Sequence, residues 1–338
     1  MSDKLILAFE SSCDDTSVAV VDSSYRVLVN LISSQPQHLE FGGILPELAS
    51  RLHMKNIARL TDAVLAEAKV SLDQISAVAV SINPGLIGSL IVGLSYAKGL
   101  AWSRGIPLIT VNHMLAHIFA NFIDHPDLKP PFLAMVVSGG HTELVHFKTL
   151  TEFEIIGKTL DDAAGETFDK TAKLLGLGFP GGPIIDKLAE GADPHFHEFP
   201  RGLKQKDNYN FSYSGVKTAV LTYLSSQDDA FIKEHLKDIS ASVQAAIIDP
   251  LITKSVRWAR ANKVQTILLA GGVAANSALR RQLAEKAGKY GIKTYSPSLQ
   301  LCMDNAAMVA AASIPKLINH QYSELNVNAS SIKGTKLL

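Results

Sequence analysis

Twice along this chain an apolar strand pattern runs into a short polar turn and returns as a second strand. Leu5–Glu10, the turn Ser11-Ser12-Cys13-Asp14-Asp15-Thr16 and residues 17–21 form the first copy. Phe132–Val137, the turn Ser138-Gly139-Gly140 and Thr142–Phe147 form the second. Short, nearly continuous apolar runs of this kind read as strands covered on both faces. Residues 77–82 and 108–111 after the first copy, and Thr266–Ala270 after the second, read as further strands, each leading into a helical pattern. Alternating strands and helices predict an α/β fold, and the repeat predicts two related lobes facing each other across a cleft. The expected division is a first lobe over 1–130 and a second over 131–305, with a helical insertion at about 157–250. A helix over 306–320 is expected to pack back on the first lobe, and the polar, aperiodic stretch 321–338 is expected to be a mobile tail.

A chain of 338 residues with 47% hydrophobic and 19% charged side chains has ample material for such cores. Its 32 Lys and Arg balance 32 Asp and Glu, so no global field draws in nucleic acid. A polyanionic partner would have to be held by a local patch, a metal or a second protein. Two cysteines, Cys13 and Cys302, make no disulfide framework, and the first residues lack a secretory pattern. The longest apolar stretches carry Gly, Ser or charge and fall short of a membrane span. The expectation is a soluble, cytoplasmic protein.

Asn112-His113-Met114-Leu115-Ala116-His117 places two histidines four residues apart in an apolar helical pattern. That spacing puts both imidazoles on one face, near enough to grip one metal ion, or leaves one packed and one exposed. A zinc peptidase helix needs glutamate directly after the first histidine, and Met114 stands there instead. Asp304 precedes an Ala-rich helical run, so it is either that helix's cap or an anionic third ligand. Ser138-Gly139-Gly140 and Gly271-Gly272 are turns where backbone amides could meet an anion, though tight turns alone also demand glycine. No Walker loop and no dinucleotide fingerprint occurs. Asp161, Asp162, Glu166 and Asp169 crowd one run; that much acid usually solvates a helix start, but Asp169 sits where the helix turns apolar and is expected to face the cleft. Arg201, Lys204 and Lys206, with Tyr209 and Phe211 nearby, form the local basic segment best suited to RNA, or simply a solvated charge run.

Taken together, these segments resemble the tRNA threonylcarbamoyladenosine transferase (TsaD) family, long described as sialoglycoprotein endopeptidases. The likeness runs from Leu5 to about Ala312. It rests on Phe9-Glu10-Ser11-Ser12-Cys13-Asp14-Asp15-Thr16, Pro46-Glu47-Leu48-Ala49-Ser50-Arg51, Pro84-Gly85-Leu86, His113-Met114 with His117, and Val137-Ser138-Gly139-Gly140-His141-Thr142. It continues through the run 161–170, Pro180-Gly181-Gly182-Pro183, Phe211-Ser212-Tyr213-Ser214-Gly215, Ala270-Gly271-Gly272-Val273 with Asn276, and Asp304-Asn305.

The resemblance implies a two-lobed, actin-like and Hsp70-like ATPase fold with duplicated mixed-sheet domains around a nucleotide cleft. It implies transfer of threonylcarbamoyl from threonylcarbamoyl-AMP to N6 of adenosine 37 in tRNAs that read codons beginning with A. By the same resemblance His113, His117 and Asp304 hold one divalent iron or zinc ion. Val136, Val137, Ser138, Gly139, Gly140, Asp169, Gly182, Asp186 and Asn276 would bind the adenylate, with Asp186 at a position the family varies. The implied partners are tRNA, a paralogous TsaB-like subunit and a small TsaE-like ATPase. Because N6 of adenosine is a weak nucleophile, a proton acceptor is needed, and Glu10, Asp14 and His141 are the candidates. The competing reading is a kinase or chaperone-like ATPase of the same fold; those hold Mg²⁺ with carboxylates and waters, so the histidine pair discriminates.

Overall fold

A computed structural model of the chain describes residues 4–41 and 43–331. In chain order it contains β1 (Leu5–Glu10), β2 (Asp15–Asp22), β3 (Val27–Ser34), α1 (Pro46–Ala68), β4 (Ile75–Asn83), α2 (Ile87–Arg104), β5 (Leu108–Asn112) and α3 (His113–Asp124). Then come β6 (Phe132–Val137), β7 (Thr142–Phe147), β8 (Phe153–Lys158), α4 (Ala164–Leu174), α5 (Gly181–Leu188), α6 (Ser214–Ser225), α7 (Asp229–Glu234), α8 (Leu236–Ala261), β9 (Thr266–Ala270), α9 (Ser277–Gly288) and β10 (Lys293–Tyr295). The chain ends with α10 (Leu299–Cys302) and α11 (Ala306–Ile318). Two compact units result, Met1–Leu128 with Pro297–Leu338, and Lys129–Ser296. The chain thus re-enters the first unit at Pro297, ahead of the boundary at 305 drawn from the sequence.

In the first unit the sheet order is β3-β2-β1-β4-β5, with β1, β2 and β3 antiparallel and β4 and β5 parallel to β1. In the second it is β8-β7-β6-β9-β10, with the same senses. The two sheets match strand for strand, so the repeat read from the sequence is a duplication of topology. The sequence pattern overlooked β3, β8 and β10. Outer strands β3 and β8 are only partly buried and lack the continuous apolar signal, and β10 has three residues.

Burial follows from layering. Leu7 and Phe9 of β1 join Val18 and Val20 of β2, Ile57 and Val64 of α1, and Leu94 and Ala97 of α2 in one core. Ile6 and Ala8 point the other way in a strand, yet are equally buried, because α11 packs across β1 and β2. In α1 the buried positions Ala49, His53, Ile57, Thr61 and Val64 recur at helical spacing, and Pro46 starts the helix where its missing N–H costs nothing.

One close approach recurs in both units. A Cβ at Gly85, just past β4, would lie 2.5 Å from the Ser12 carbonyl oxygen after β1. A Cβ at Gly271, just past β9, would lie 2.5 Å from the Val137 carbonyl oxygen at the end of β6, and Gly271 also has φ +86°. Only glycine fits either place.

The tail expected to be mobile is tied down as far as Ser330; residues 332–338 lie outside the described residues. Ser323 N donates to Leu108 O at 2.8 Å and Thr110 N to Ser323 Oγ at 3.1 Å, along the sheet-edge strand β5. Lys98 Nζ bonds Val327 O, Ser330 N donates to Ile82 O at 3.0 Å, and Val327 and Ala329 pack on the core. Its polar composition hid these two apolar contacts. Removing residues 321–338 is therefore expected to destabilise the protein by about 2 kcal/mol, from the lost apolar burial. That corresponds to a fall of roughly 4–8 °C in Tm. An unchanged melting curve would show that the tail contributes no packing.

Candidate functional site

Asn112 closes β5 and opens α3 at once: its side-chain oxygen accepts the N–H groups of Met114 at 2.9 Å and Leu115 at 3.1 Å. His113 is therefore the first helical residue, and His117 lies one turn on, with ring centroids 4.7 Å apart. Asp304 reaches both rings, its Oδ1 lying 3.4 Å from His113 Nε2 and 3.1 Å from His117 Nε2. It is not the cap of α11; Asn305 is, accepting Met308 N at 2.9 Å. The reading of Asp304 as a helix cap is thereby set aside.

His113, His117 and Asp304 offer ligand atoms that all lie within 4.8 Å of one another. An ion held tetrahedrally at zinc–nitrogen and zinc–oxygen distances separates its donors by about 3.4 Å. The two histidine–aspartate separations suit that, and two imidazoles with one carboxylate are a donor set for zinc or iron. Asp304 keeps 24% of its side chain exposed, whereas His117 keeps 2%, so the group opens on the Asp304 side.

Behind the pair sits Glu10, which is 1% exposed. Its Oε2 lies 3.0 Å from His113 Nδ1, and its Oε1 accepts Ser12 N at 2.6 Å. Burial pushes the Glu10 carboxyl up, but His113 and Ser12 more than offset this and hold it below the usual range. Burial pushes the His113 imidazole down; Glu10 and Asp304 reverse that and carry it well above its ordinary value. Asp304 is likewise drawn well below the carboxylate range by His113 and His117, against burial. Beside this cluster, Asp15 is pushed up to about 6, chiefly by burial and partly by the charges of Asp304, Asp14 and Glu10.

Among the proton-acceptor candidates, Glu10 has both oxygens engaged, Asp14 lies half-buried in the β1–β2 turn, and His141 belongs to the other unit. His141 N donates to Ser138 Oγ at 3.2 Å and its carbonyl accepts Ser138 N at 2.8 Å, closing the β6–β7 turn. Ser12, whose Oγ lies 3.2 Å from His113 Nδ1, carried no signal of its own in the sequence, since only folding brings it to the histidine.

The residues expected to bind an adenylate form a connected ring in the second unit. Val136 and Val137 end β6, and the Val137 carbonyl touches Gly271. Ser138 O accepts Gly165 N at 3.2 Å, joining the turn to α4. Asp169 of α4 accepts Gly181 N at 2.7 Å, at the head of the helix that carries Gly182 and Asp186. Burial raises the Asp169 carboxyl despite that bond. Asp186 accepts Ser277 N and Oγ, each at 2.9 Å, and Asn276 caps α9 through Leu279 N at 2.8 Å. A cavity of about 350 Å³ borders this ring, with Asp186, Gln244, Ser277 and Arg281 in its wall. Gly139 and Gly140 are exposed, with nothing within 4 Å of where a Cβ would stand and no positive φ. Neither packing nor backbone conformation demands glycine there, which leaves open space beside the amides.

The crowded acids separate by partner. Asp161 takes Ser212 Oγ at 2.5 Å, Tyr213 N at 2.7 Å and Ser214 Oγ at 3.0 Å, fixing the start of α6. Asp162 and Glu166 pair with Lys170 at 2.8 and 3.0 Å. The basic segment needs correction. Arg201 is bound to Asp249 at 2.8 Å and to Phe199 O at 2.7 Å, Phe211 is buried, and the Arg257 guanidinium lies 5.0 Å from the Tyr209 ring centroid. Only Lys204 and Lys206 of that group stay exposed.

Known structures share the fold. HypF from T. kodakarensis superposes with TM-score 0.63 at 13% identity, over 95% of this chain and 48% of that one. Component A of (R)-2-hydroxyglutaryl-CoA dehydratase from Acidaminococcus fermentans gives 0.53 at 15% identity, over 94% and 99%. Both have the actin-like ATPase fold. Sequence relatives are nearer. The tRNA N6-adenosine threonylcarbamoyltransferases of Clostridium beijerinckii and Clostridium perfringens (strain SM101) are 50% and 49% identical to it, each over 97% of both chains. That of Caldicellulosiruptor saccharolyticus is 45% identical over 96% of both. The profile of the TsaD family, tRNA N6-adenosine threonylcarbamoyltransferase, matches residues 26–311, a span that takes in the histidine pair, Asp304 and the whole glycine-lined ring. With that match and relatives near 50% identity along almost its entire length, the chain belongs to the tRNA N6-adenosine threonylcarbamoyltransferase family.

Proposed function

We propose that this protein transfers the threonylcarbamoyl group from threonylcarbamoyl-AMP to N6 of adenosine 37 in tRNAs that read codons beginning with A, completing t6A. The observation that carries the reading is Asp304 Oδ1 lying between His113 Nε2 and His117 Nε2 in a chain of this family. The kinase or chaperone alternative would call for carboxylates and waters around magnesium, and two imidazoles are a poor set for that ion. No helix among the described residues is long and apolar enough to cross a membrane, in keeping with a cytoplasmic tRNA-modifying enzyme.

In this reading His113, His117 and Asp304 hold one divalent ion, iron or zinc, which supplies Lewis-acid stabilisation of charge developing on the transferred group. The protein's own residues do the rest. The open amides at Gly139 and Gly140 receive the phosphate, while Asp186, Asn276 and the cavity beside them take the nucleoside. Holding donor and acceptor together supplies much of the rate for so weak a nucleophile. Asp14 and His141 remain as candidates to accept the amine proton, and Asp15, a half-buried carboxyl in the same turn region, joins them. A TsaB-like subunit fits the exposed apolar side chains Met54, Ile87 and Ile91 on α1 and α2, which pack together. The TsaE-like ATPase and tRNA complete the set of partners.

His117→Ala should abolish metal binding and lower transfer at least about 100-fold, with a loss of stability in the metal-free protein from the cavity it leaves. His113→Ala should do the same and destabilise further, since it leaves the Glu10 charge buried without its imidazole partner. Full activity with stoichiometric metal in either variant would remove this pair from the site.

Gly140→Val is expected to weaken adenylate binding by tenfold or more while leaving Tm nearly unchanged, because a Cβ there has no protein atom within 4 Å. Calorimetric titration beside a melting curve decides it. A parallel loss of binding and stability would make the glycine purely structural.

Neutralising Lys204 and Lys206 together should weaken tRNA binding and reduce the salt slope by up to about 2, with adenylate binding unaltered. Unchanged affinity and slope would place the RNA elsewhere, or on the partner subunits.

A further inference from the structure

Glu10 entered as a candidate proton acceptor, yet its surroundings are those of a residue that holds something else in place. An ionised carboxylate has only acceptor sites. Here one oxygen takes the Ser12 N–H at 2.6 Å and the other faces His113 Nδ1 at 3.0 Å, while the Ser12 hydroxyl, which can donate or accept, lies farther from the same nitrogen at 3.2 Å. The proton between carboxylate and ring must then be carried by Nδ1, so that whenever the ring is neutral the lone pair of His113 is on Nε2, the atom that faces Asp304. His117 has no such support: among the described residues its buried Nδ1 has no hydrogen-bond partner.

The turn that follows Glu10 and carries Ser12 is itself fastened from two helices. Leu86 N, just before α2, donates to Ser12 O at 2.8 Å, and Ser11 Oγ donates to Ser89 O in the first turn of α2 at 2.9 Å. From α1, the fully buried His53 places Nδ1 2.7 Å from Thr16 Oγ1 and Nε2 3.0 Å from Cys13 O. A carboxylate anchored this way has little freedom to follow a reacting group.

We infer that Glu10 is the positioning residue of the metal centre: its carboxylate fixes the tautomer and tilt of His113, so that Nε2 rather than Nδ1 is offered to the ion. This rests on the metal reading given above. The glutamine variant tests it sharply. Gln has one acceptor oxygen where Glu10 serves two donors, so either the Ser12 bond is lost or the amide donates to Nδ1 and forces the proton onto Nε2, the wrong tautomer for a ligand. Carboxylate partners of metal-bound histidines change affinity by about 10–100-fold when removed.

The experiment is a Zn²⁺ titration of the chelator-stripped full chain against a chromophoric competitor, for wild type, Glu10→Gln, Glu10→Asp and His117→Ala, with transfer measured at low and saturating zinc. Glu10→Gln should bind zinc about 10–100-fold more weakly than wild type and recover most activity at saturating zinc. Glu10→Asp, whose carboxylate is drawn back by one methylene, should also bind more weakly, and it serves if the glutamine variant does not fold. Zinc affinity within twofold of wild type, with transfer low at every zinc concentration, would overturn the inference and return Glu10 to direct proton transfer. If His117→Ala binds zinc as wild type does, the metal reading itself fails; if His117→Ala loses zinc while Glu10→Gln does not, only the role of Glu10 fails.

Discussion

In each unit a main-chain carbonyl at the end of the first strand occupies the place where a side chain after the fourth strand would otherwise stand. Ser12 O against Gly85 and Val137 O against Gly271 are the same contact made twice. It presses the helix-opening turn of one strand onto the hairpin turn of its neighbour, and both proposed sites are built on those turns. In the first unit the hairpin turn supplies Ser12, and through it Glu10 and His113. In the second it supplies Ser138, Gly139 and Gly140. Packing with nothing to spare at the fourth strand is what gives these turns fixed positions while leaving their outer sides open.

The histidine cluster shows how ionisable groups are tolerated inside such a core. Glu10, His113, His117 and Asp304 would each be costly to bury alone, and their mutual attraction offsets the desolvation. Such an arrangement adds little net stability. What it fixes is geometry: the acidic and imidazole groups accept only one mutual orientation, and the cap at Asn112 sets the phase of the helix that presents the rings. Specificity of placement, rather than folding energy, is the return.

Acidic residues elsewhere behave in the same manner at lower stakes. Asp161, Asp169 and Asp186 each accept backbone or hydroxyl donors at a helix start, at α6, α5 and α9 in turn. The helix N-terminus favours negative charge, so these carboxylates link successive helices without needing cationic partners. Asp169 and Asp186 thereby tie the wall of the proposed adenylate site together as well as lining it.

Much of this was written in local pattern. The apolar runs of β1, β6 and β9, the strict helical spacing of α1, and the duplication itself follow from side-chain periodicity, which depends on neighbours only a few residues away. So does the i, i+4 histidine pair, and the family resemblance rests on ordered motifs along nearly the whole chain. Outer strands β3 and β8 escaped because an edge strand is half wetted and its apolar signal is weak. The tail escaped because its attachment is a few scattered hydrogen bonds and the two apolar contacts of Val327 and Ala329, too few to make a periodic signal. Only the tertiary structure decided that Asn305 caps α11 and so frees Asp304 for the histidines, that Glu10 stands behind His113, and that Arg201 is bound to Asp249. The pairings of Asp304 with His113, Glu10 with His113 and Arg201 with Asp249 join residues 191, 103 and 48 positions apart. Residue type sets what such groups can bond to, but their partner is chosen by the packing that brings distant segments within 3–4 Å, and that packing is a property of the whole chain.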